Sequence, residues 1–538
     1  MQKYLLKNGT IVDGSGADGF VGDVLLEGAR IAAVSPRPLA CEDAEVIDCT
    51  GLVIAPGFID GHSHQDHFFL TDRPHEFFNP FLQQGITTFI CGNCGFGAAG
   101  FQPGSPYKKE ILQGFLGAAF DGREVNWDTW PEYMRLLEKQ GIVANMATLA
   151  AHGAALGSVL GPGTLGANAV TPEVERQILG ILEDGMNDGC LGVSMGLAYR
   201  PGNFTTPEQL RHIAELVARH NKILTIHREV ETAISGYYSD FSEYHNVRWL
   251  REFFDNIKDT GVKLHISHLL FAGRTTFPSY DAVHELIRRY ADDGLDVSFD
   301  MYSYEYGATE VAILVAADLP QDMAAMKTDR ALHDRREQQF HASGEAIGIF
   351  NSDAFLSNPY CAEFEPYKGM FLSDMAKARG LSEFDNVVDL YEKTNGHATV
   401  MLSPYYSPEM TIDQMQNPLV NYQTDAWIDP GCAQNPAAYG SFPRFLRLAR
   451  EKTRMRLEDV IHKMTGRTAR RFDLHHRGFL RAGYYADVTV FDPQHVRETA
   501  TAQTPSGAPE GIRCVFVNGQ LAVDDGVVRD IRSGMVIA

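Results

Sequence analysis

Much that would identify a protein class is missing from this 538-residue sequence. No stretch approaches the roughly 18 consecutive apolar residues of a membrane-spanning helix. The opening residues, MQKYLLKNGTIVDGSG, hold neither an apolar signal core nor a small-residue cleavage site. G-x-G-x-x-G follows none of the candidate strands, and there is no Walker A pattern. Positive charge is scarce: 47 Lys and Arg stand against 69 Asp and Glu, a formal net charge of −22. So acidic a surface repels nucleic acid and anionic membranes, and neither is an expected partner. A small substrate is not restricted in this way, because a local cationic pocket can sit inside an acidic protein. Cysteine is thinly spread, at 41, 49, 91, 94, 190, 361, 432 and 514. That is not the dense framework of a small secreted domain. Free thiols and a cytoplasmic location are the expectation.

What is present is enough apolar residue, 44%, for a full core in a chain long enough for a barrel and an appendage. Residues 1–54 read as short strands with Gly turns. The stretch 476–538 reads the same way, with ADVTVF, then IRCVFVNGQLAVDDGVV and its Asn-Gly and Asp-Gly hairpin signals. Strands from both ends can pair into one small β domain. Between them, in 55–475, strand and helix patterns alternate. The strands are GFIDGHSH, GITTFICGN, VANMATLAAHG, CLGVSMGLAY, KILTIHRE, VKLHISHLL, LDVSFDMYSY and LVNYQTDAW. Eight β/α units predict an α/β fold, a (β/α)8 barrel, with an open doubly wound sheet as the alternative. The long gap before the eighth strand predicts a mostly helical insertion over 310–400.

Chemistry concentrates at the strand ends. His62 and His64 lie two apart after an apolar strand, so both imidazoles face the barrel mouth, as a shared metal requires. Cys94 lies in CGNCG after the second strand, and thiolate is a strong zinc ligand. Cys91 makes a C-x-x-C pair with it, but no second pair completes a zinc knuckle, and a buried core thiol is the simpler reading. His227 ends the fifth strand and His268 follows the sixth. His265, three residues earlier, cannot share a strand face with His268. Asp425 follows the eighth strand, where a carboxylate can act as proton acceptor and donor. G-V-S-M-G fits a serine nucleophile elbow formally, yet falls within the fourth barrel strand.

These residues resemble the amidohydrolase superfamily and, within it, the D-aminoacylase (N-acyl-D-amino-acid deacylase) family. APGFIDGHSHQD, GITTFICGNCG, GVSMGLAYRPG, LHISH, YGSFPRFL, MTGRTARRFDL and GYYADVTVFDP carry the likeness over nearly the whole chain. The resemblance implies a barrel, a small β domain and an insertion late in the barrel. It implies a tight zinc position at Cys94, His227 and His268, and a second, weaker metal position at His62 and His64. It makes Asp425 the acid/base and places Tyr199 near substrate. His152, Arg228, Tyr302 and Tyr304 are further candidate substrate contacts.

Departures from the pattern fall on the carboxylate-binding side. Leu269 and Leu270 stand where the family commonly has His-Lys. No Arg precedes YGSFPR after Asp425, and Arg228 follows His227 directly instead of after one residue. The segment Tyr302 to Thr309 departs from the usual seventh-strand sequence. Two readings follow. The first is a zinc-dependent hydrolase of the C–N amide bond of an N-acyl-D-amino acid. The second is an amidohydrolase for a neutral or aromatic amide, a cyclic amide or a deamination substrate. In the first, Arg228 or Arg274 must replace the absent cation. A third, non-catalytic reading conflicts with the complete ligand set. Self-association into a homo-oligomer stays open.

Overall fold

A computed structural model describes residues 2–113, 124–161, 170–316 and 318–538. The eight expected strands are all present: β1 Phe58–Asp60, β2 Ile86–Cys91, β3 Asn145–Thr148 continued by Ala150–Ala151, β4 Gly192–Gly196, β5 Ile223–His227, β6 Lys263–Ile266, β7 Val297–Met301 and β8 Val420–Tyr422. They pair in parallel in chain order, with β3 bending at Leu149 to face β2 with one piece and β4 with the other. An open doubly wound order is excluded. Most of these strand residues are buried, as parallel strands covered on both faces must be, and so they read as apolar runs.

Helices α1 Pro74–Gln83, α2 Trp130–Gln140, α3 Pro172–Asn187, α4 Pro207–Arg219, α5 His245–Ile257, α6 Tyr280–Asp292, α7 Pro408–Gln414 and α8 Ala437–Lys452 follow the strands in turn. Their starts are written locally. In α4 the Thr206 side chain accepts from Gln209 N, Gln209 reaches back to Thr206 N, and Pro207 stands in the first turn. Leu210, Ile213, Ala214 and Val217 recur at helical spacing and are buried.

The seam between β8 and β1 has no ladder. Thr424 N and Oγ1 donate instead to the two oxygens of Asp60 at 2.9 and 2.5 Å, and Asp425 N donates to His62 O at 3.2 Å. The small sheet joins both chain ends: Val53–Pro56 pairs antiparallel with Val488–Phe491, Lys3–Ile11 lies on one side and Ile512–Val517 on the other. One apolar core runs through both parts, from barrel residues such as Phe299 to Phe491, Val515 and Val517 of the sheet. The chain then returns to the barrel base, where Gly534 and Val536 bridge Ile142 and Met146.

The insertion is mostly helical, as expected, but has a small sheet that was not. It carries the helices Leu319–Met326, Arg330–Ile347, Leu372–Arg379 and Glu383–Thr394, but is rooted on an antiparallel sheet of Gly307–Glu310, Thr399–Leu402 and Ala354–Asn358. Those strands are four or five residues long and far apart in sequence, so no local alternation announces them. Among the described residues, no helix is long and apolar enough to cross a membrane.

Candidate metal centre

At the C-terminal ends of the strands, Cys94 Sγ lies 3.1 Å from His62 Nε2 and 3.4 Å from His268 Nε2. Asp425 Oδ1 is 3.5 Å from Nε2 of both His62 and His64. The His227 and His268 rings are 4.3 Å apart. Three trios have ligand atoms within 4.8 Å of one another: His62, His64 and Cys94; Cys94, His227 and His268; His62, His268 and Asp425. All six expected residues are thus brought together, and Cys94 belongs to two trios. Assigning it to one metal position alone is therefore narrower than the geometry.

The backbone is shaped for this. Cys94, His268 and Asp425 all have positive φ, at 55°, 30° and 46°. Left-handed backbone costs a non-glycine residue about 1 kcal/mol or more, so the surroundings must impose it. Around Cys94 they do. Gly92 has φ 74°, and a Cβ there would stand 2.3 Å from Leu149 O. The buried Ser194 hydroxyl donates to Gly92 O and accepts from Gly95 N at 3.1 Å. The serine of G-V-S-M-G therefore pins the cysteine turn and is no exposed nucleophile.

Electrostatics favour an ionised centre. Burial opposes ionisation of Cys94, but His62 and His268 outweigh it and hold the thiol well below its usual range. Burial likewise opposes charge on His64, yet Asp425 and Cys94 push it up to about 9. His62 and His268 are raised, and Asp425 is lowered, by the same mutual attraction working against desolvation. Cys91 is the contrast: fully buried, its thiol is pushed well up by desolvation, as a core residue.

The donor set fits a metal ion. On the outer side of the cluster, Nδ1 of His64 has no hydrogen-bond partner, while Nδ1 of His62 and of His268 face Asp300 and Glu231 at 3.4 and 3.6 Å. Thiolate with imidazoles suits zinc. The Nε2 atoms of His62, His64 and His268 converge on Cys94 Sγ and Asp425 Oδ1, and so many ligand-type atoms gathered in a dry setting cost stability unless an ion draws them together.

Two acids that sequence reasoning missed complete the arrangement. Asp300, on β7, has Oδ2 3.4 Å from His62 Nδ1 and 2.9 Å from His265 Nε2. Its Oδ1 accepts from His268 N at 2.5 Å and Gln423 Nε2 at 3.2 Å. It orients ligand histidines as carboxylates commonly do behind a metal. A lone carboxylate inside the buried run VSFDM was the available signal. Glu231 Oε1 lies 3.8 Å from His227 Nε2 and 3.6 Å from His268 Nδ1. His265 bonds to Ser298 and Asp300, below the ligands, and His268 stands in the site.

The expected substrate contacts fare unequally. Tyr199 donates to Cys94 O at 2.9 Å, and its ring stacks on Phe96 at 5.0 Å and meets His227 edge-on. Trp427, which sequence reading did not single out, packs against His64 at 5.9 Å. Arg228 is fully buried. Its Nη2 donates to Leu270 O at 2.6 Å, while Nε and Nη1 have no partner. Tyr302 is buried with an unpartnered hydroxyl. His152 is buried too, and desolvation lowers its pKa to about 4. Tyr304, by contrast, donates to Ala500 O at 2.9 Å under Arg444, away from the histidines. Arg274 is already held by Asp353 at 2.6 and 2.8 Å.

Known proteins share this construction. The chain is 29% identical over 535 residues to a D-aminoacylase of Alcaligenes xylosoxydans xylosoxydans, covering 99% of this chain and 97% of that one. It is 26% identical to an N-acyl-D-aspartate deacylase of the same organism, covering 99% and 95%. A solved D-aminoacylase with a binuclear metal center superposes with a TM-score of 0.78 at 26% identity, covering 99% of each chain. The amidohydrolase family model matches residues 45–344 and 423–523. With its barrel, its cluster of strand-end histidines and cysteine, and this match over most of its length, the chain belongs to the amidohydrolase family and is a metal-dependent hydrolase of C–N amide bonds.

Proposed function

We propose that the protein is a zinc-dependent deacylase that cleaves the amide bond of an N-acylated small molecule. The convergence of Cys94, four histidines and Asp425 carries this reading. Cys94, His227 and His268 form the tight zinc position, and His62 and His64, with Cys94 in reach, form a weaker second one. Bound zinc supplies Lewis acidity and activates water at neutral pH.

The chain's own residues do the rest. Asp425 is ionised and stands beside His62 and His64, so a carboxylate oxygen takes the proton of the attacking water and passes it to the departing nitrogen. Asp300 holds His62 and the His268 backbone in place. Phe96, Tyr199 and Trp427 wall the site with aromatic surface, which excludes water from the reacting bond and strengthens each charge interaction inside. Asp425→Asn keeps the shape and removes the proton acceptor. Turnover falls by about 10²–10⁴-fold while zinc content stays at the wild-type level. An active, zinc-loaded Asn variant would remove Asp425 from this role.

The similar deacylases make an N-acyl-D-amino acid the first substrate class, with Arg228 as the cation for its carboxylate and Tyr302 beside it. One observation favours the second class, a neutral or aromatic amide. Leu270 is apolar, Arg274 is spent on Asp353, and Arg228 is wholly buried, so neither arginine considered for the carboxylate is a free, exposed cation. Assays of N-acetyl-D- and L-amino acids beside uncharged amides, with ammonia release recorded, decide between them. The same reading divides the chain into 1–54 and 476–538 for the small domain and 55–475 for the barrel. It places the protein, with its eight unpaired cysteines, in the cytoplasm.

A further inference from the structure

A second cavity, of about 290 Å³, lies at the other end of the barrel. Lys222 and Ile223, at the start of β5, and Lys263, at the start of β6, line it; the metal ligands stand at the far ends of the same strands. The turn 473–477 and residues 535–538 close its other sides. Basic groups are frequent in its lining for a chain of net charge −22: Lys222, Lys263, Arg471, His475, His476 and Arg477 face it against two carboxylates, that of Asp473 and the terminal one of Ala538.

Part of that charge is already neutralised. Arg471 pairs with Asp296, and Arg477 with Asp487. The rest is not. Lys263 Nζ reaches only Asn221 O, at 3.1 Å, and among the described residues no carboxylate pairs with Lys222 or Lys263. Arg471 Nε is buried, points a donor at no acceptor, and belongs to a side chain only 12% exposed. Two ammonium groups without a carboxylate partner beside one hollow repel each other, and a buried donor without an acceptor is unfavourable. An anion in the cavity removes both penalties.

We propose that this basal cavity binds a phosphate group, free or carried on a small molecule. Two ammonium groups and a guanidinium edge offer donors from several directions, which suits a tetrahedral multiply charged oxyanion better than a planar carboxylate. The hollow is several times the roughly 30 Å³ share of one water, so a phosphate fits with room for an attached group. A bound phosphate joins β5, β6, the 473–477 turn and the last residues of the chain, so occupancy stabilises the fold. The proposal stands apart from the hydrolytic reading, since it uses none of that site's residues.

The test is thermal unfolding of the full-length, metal-loaded protein in inorganic phosphate, against chloride at matched ionic strength. A parallel series uses adenosine monophosphate. Wild type gives a saturable rise of several degrees, and the double variant Lys222→Ala, Lys263→Ala loses most of it. Lys222→Glu, at a half-exposed position, weakens the response on its own. Phosphate at the zinc site shifts wild type and variants alike, so the difference between them is the readout. Saturation at lower concentration by the nucleotide identifies a phosphorylated small molecule as the ligand; equal or weaker response identifies free phosphate. Equal shifts in wild type and both variants, or no saturable shift in wild type, overturn the proposal.

Discussion

At the scale of single residues, chemistry and strain coincide. Three residues assigned to the metal and proton chemistry sit in left-handed backbone, and of these Cys94 is the one whose type seldom adopts it. Such positions persist because their neighbours over-determine them. Cys94→Ala removes a thiolate that belongs to two trios, as His62 and His268 also do. It lowers zinc content per chain to well below half of wild type, measured after exhaustive dialysis; full zinc content would make Cys94 a core thiol. A residue away from the site, His284, contributes to acid stability, as buried His152 does. His284 donates through Nε2 to Gln414 at 3.2 Å, accepts at Nδ1 from Asn417 at 3.3 Å, and packs on Phe271, Tyr280 and Phe299. Burial lowers its pKa to about 4. The unfolded chain, near 6.5, binds this proton first, so stability present above pH ~6.5 is lost as pH falls towards about 4. The contribution is about 1–3 kcal/mol, and His284→Gln flattens that part of the denaturant-midpoint curve. An unchanged slope between pH 6.5 and 4 would exclude His284 as a contributor. That Cys94, the four histidines and Asp425 would come together was legible in sequence, because metal-binding types of side chain at strand ends are individually conspicuous. Asp300 and Glu231 were not, because their roles depend on which strand lies next door.

Elements show a similar division. The eight barrel strands were readable because burial on both faces makes each a short apolar run, and the helix starts because caps are local. The sheet of the insertion was not readable, since its strands find partners about 40 to 90 residues away. Nor was the closure of the barrel by side chains. Asp60 is completely buried, and desolvation raises its pKa to about 7 against the pull of the Thr424 hydrogen bonds. Thr424→Val keeps the shape and deletes one of those bonds. It costs about 1–3 kcal/mol by chemical denaturation and raises KM or lowers kcat, because the seam positions Asp425 one residue on. A variant with wild-type stability would mean that the backbone bond from Thr424 suffices to close the barrel.

For the whole molecule, the continuous core is decisive. Barrel and small sheet share packed residues at Phe491, Val515 and Val517, and although the sheet keeps a cluster of its own around Leu6, Val24, Val488 and Phe516, the shared face couples the melting of the two. Calorimetry of the metal-loaded protein gives one transition; two resolved peaks would show that the parts unfold separately. The join at Val53–Pro56 and Val488–Phe491 also sets a timetable. The first strand leaves the ribosome about 430 residues before its partner, a wait of roughly 20 to 90 s at ordinary rates of synthesis. Through that interval an apolar strand edge lies open to pairing with a neighbouring nascent chain. The yield of this protein in a cell is thus governed by how the first fifty-odd residues are sheltered until the last fifty arrive.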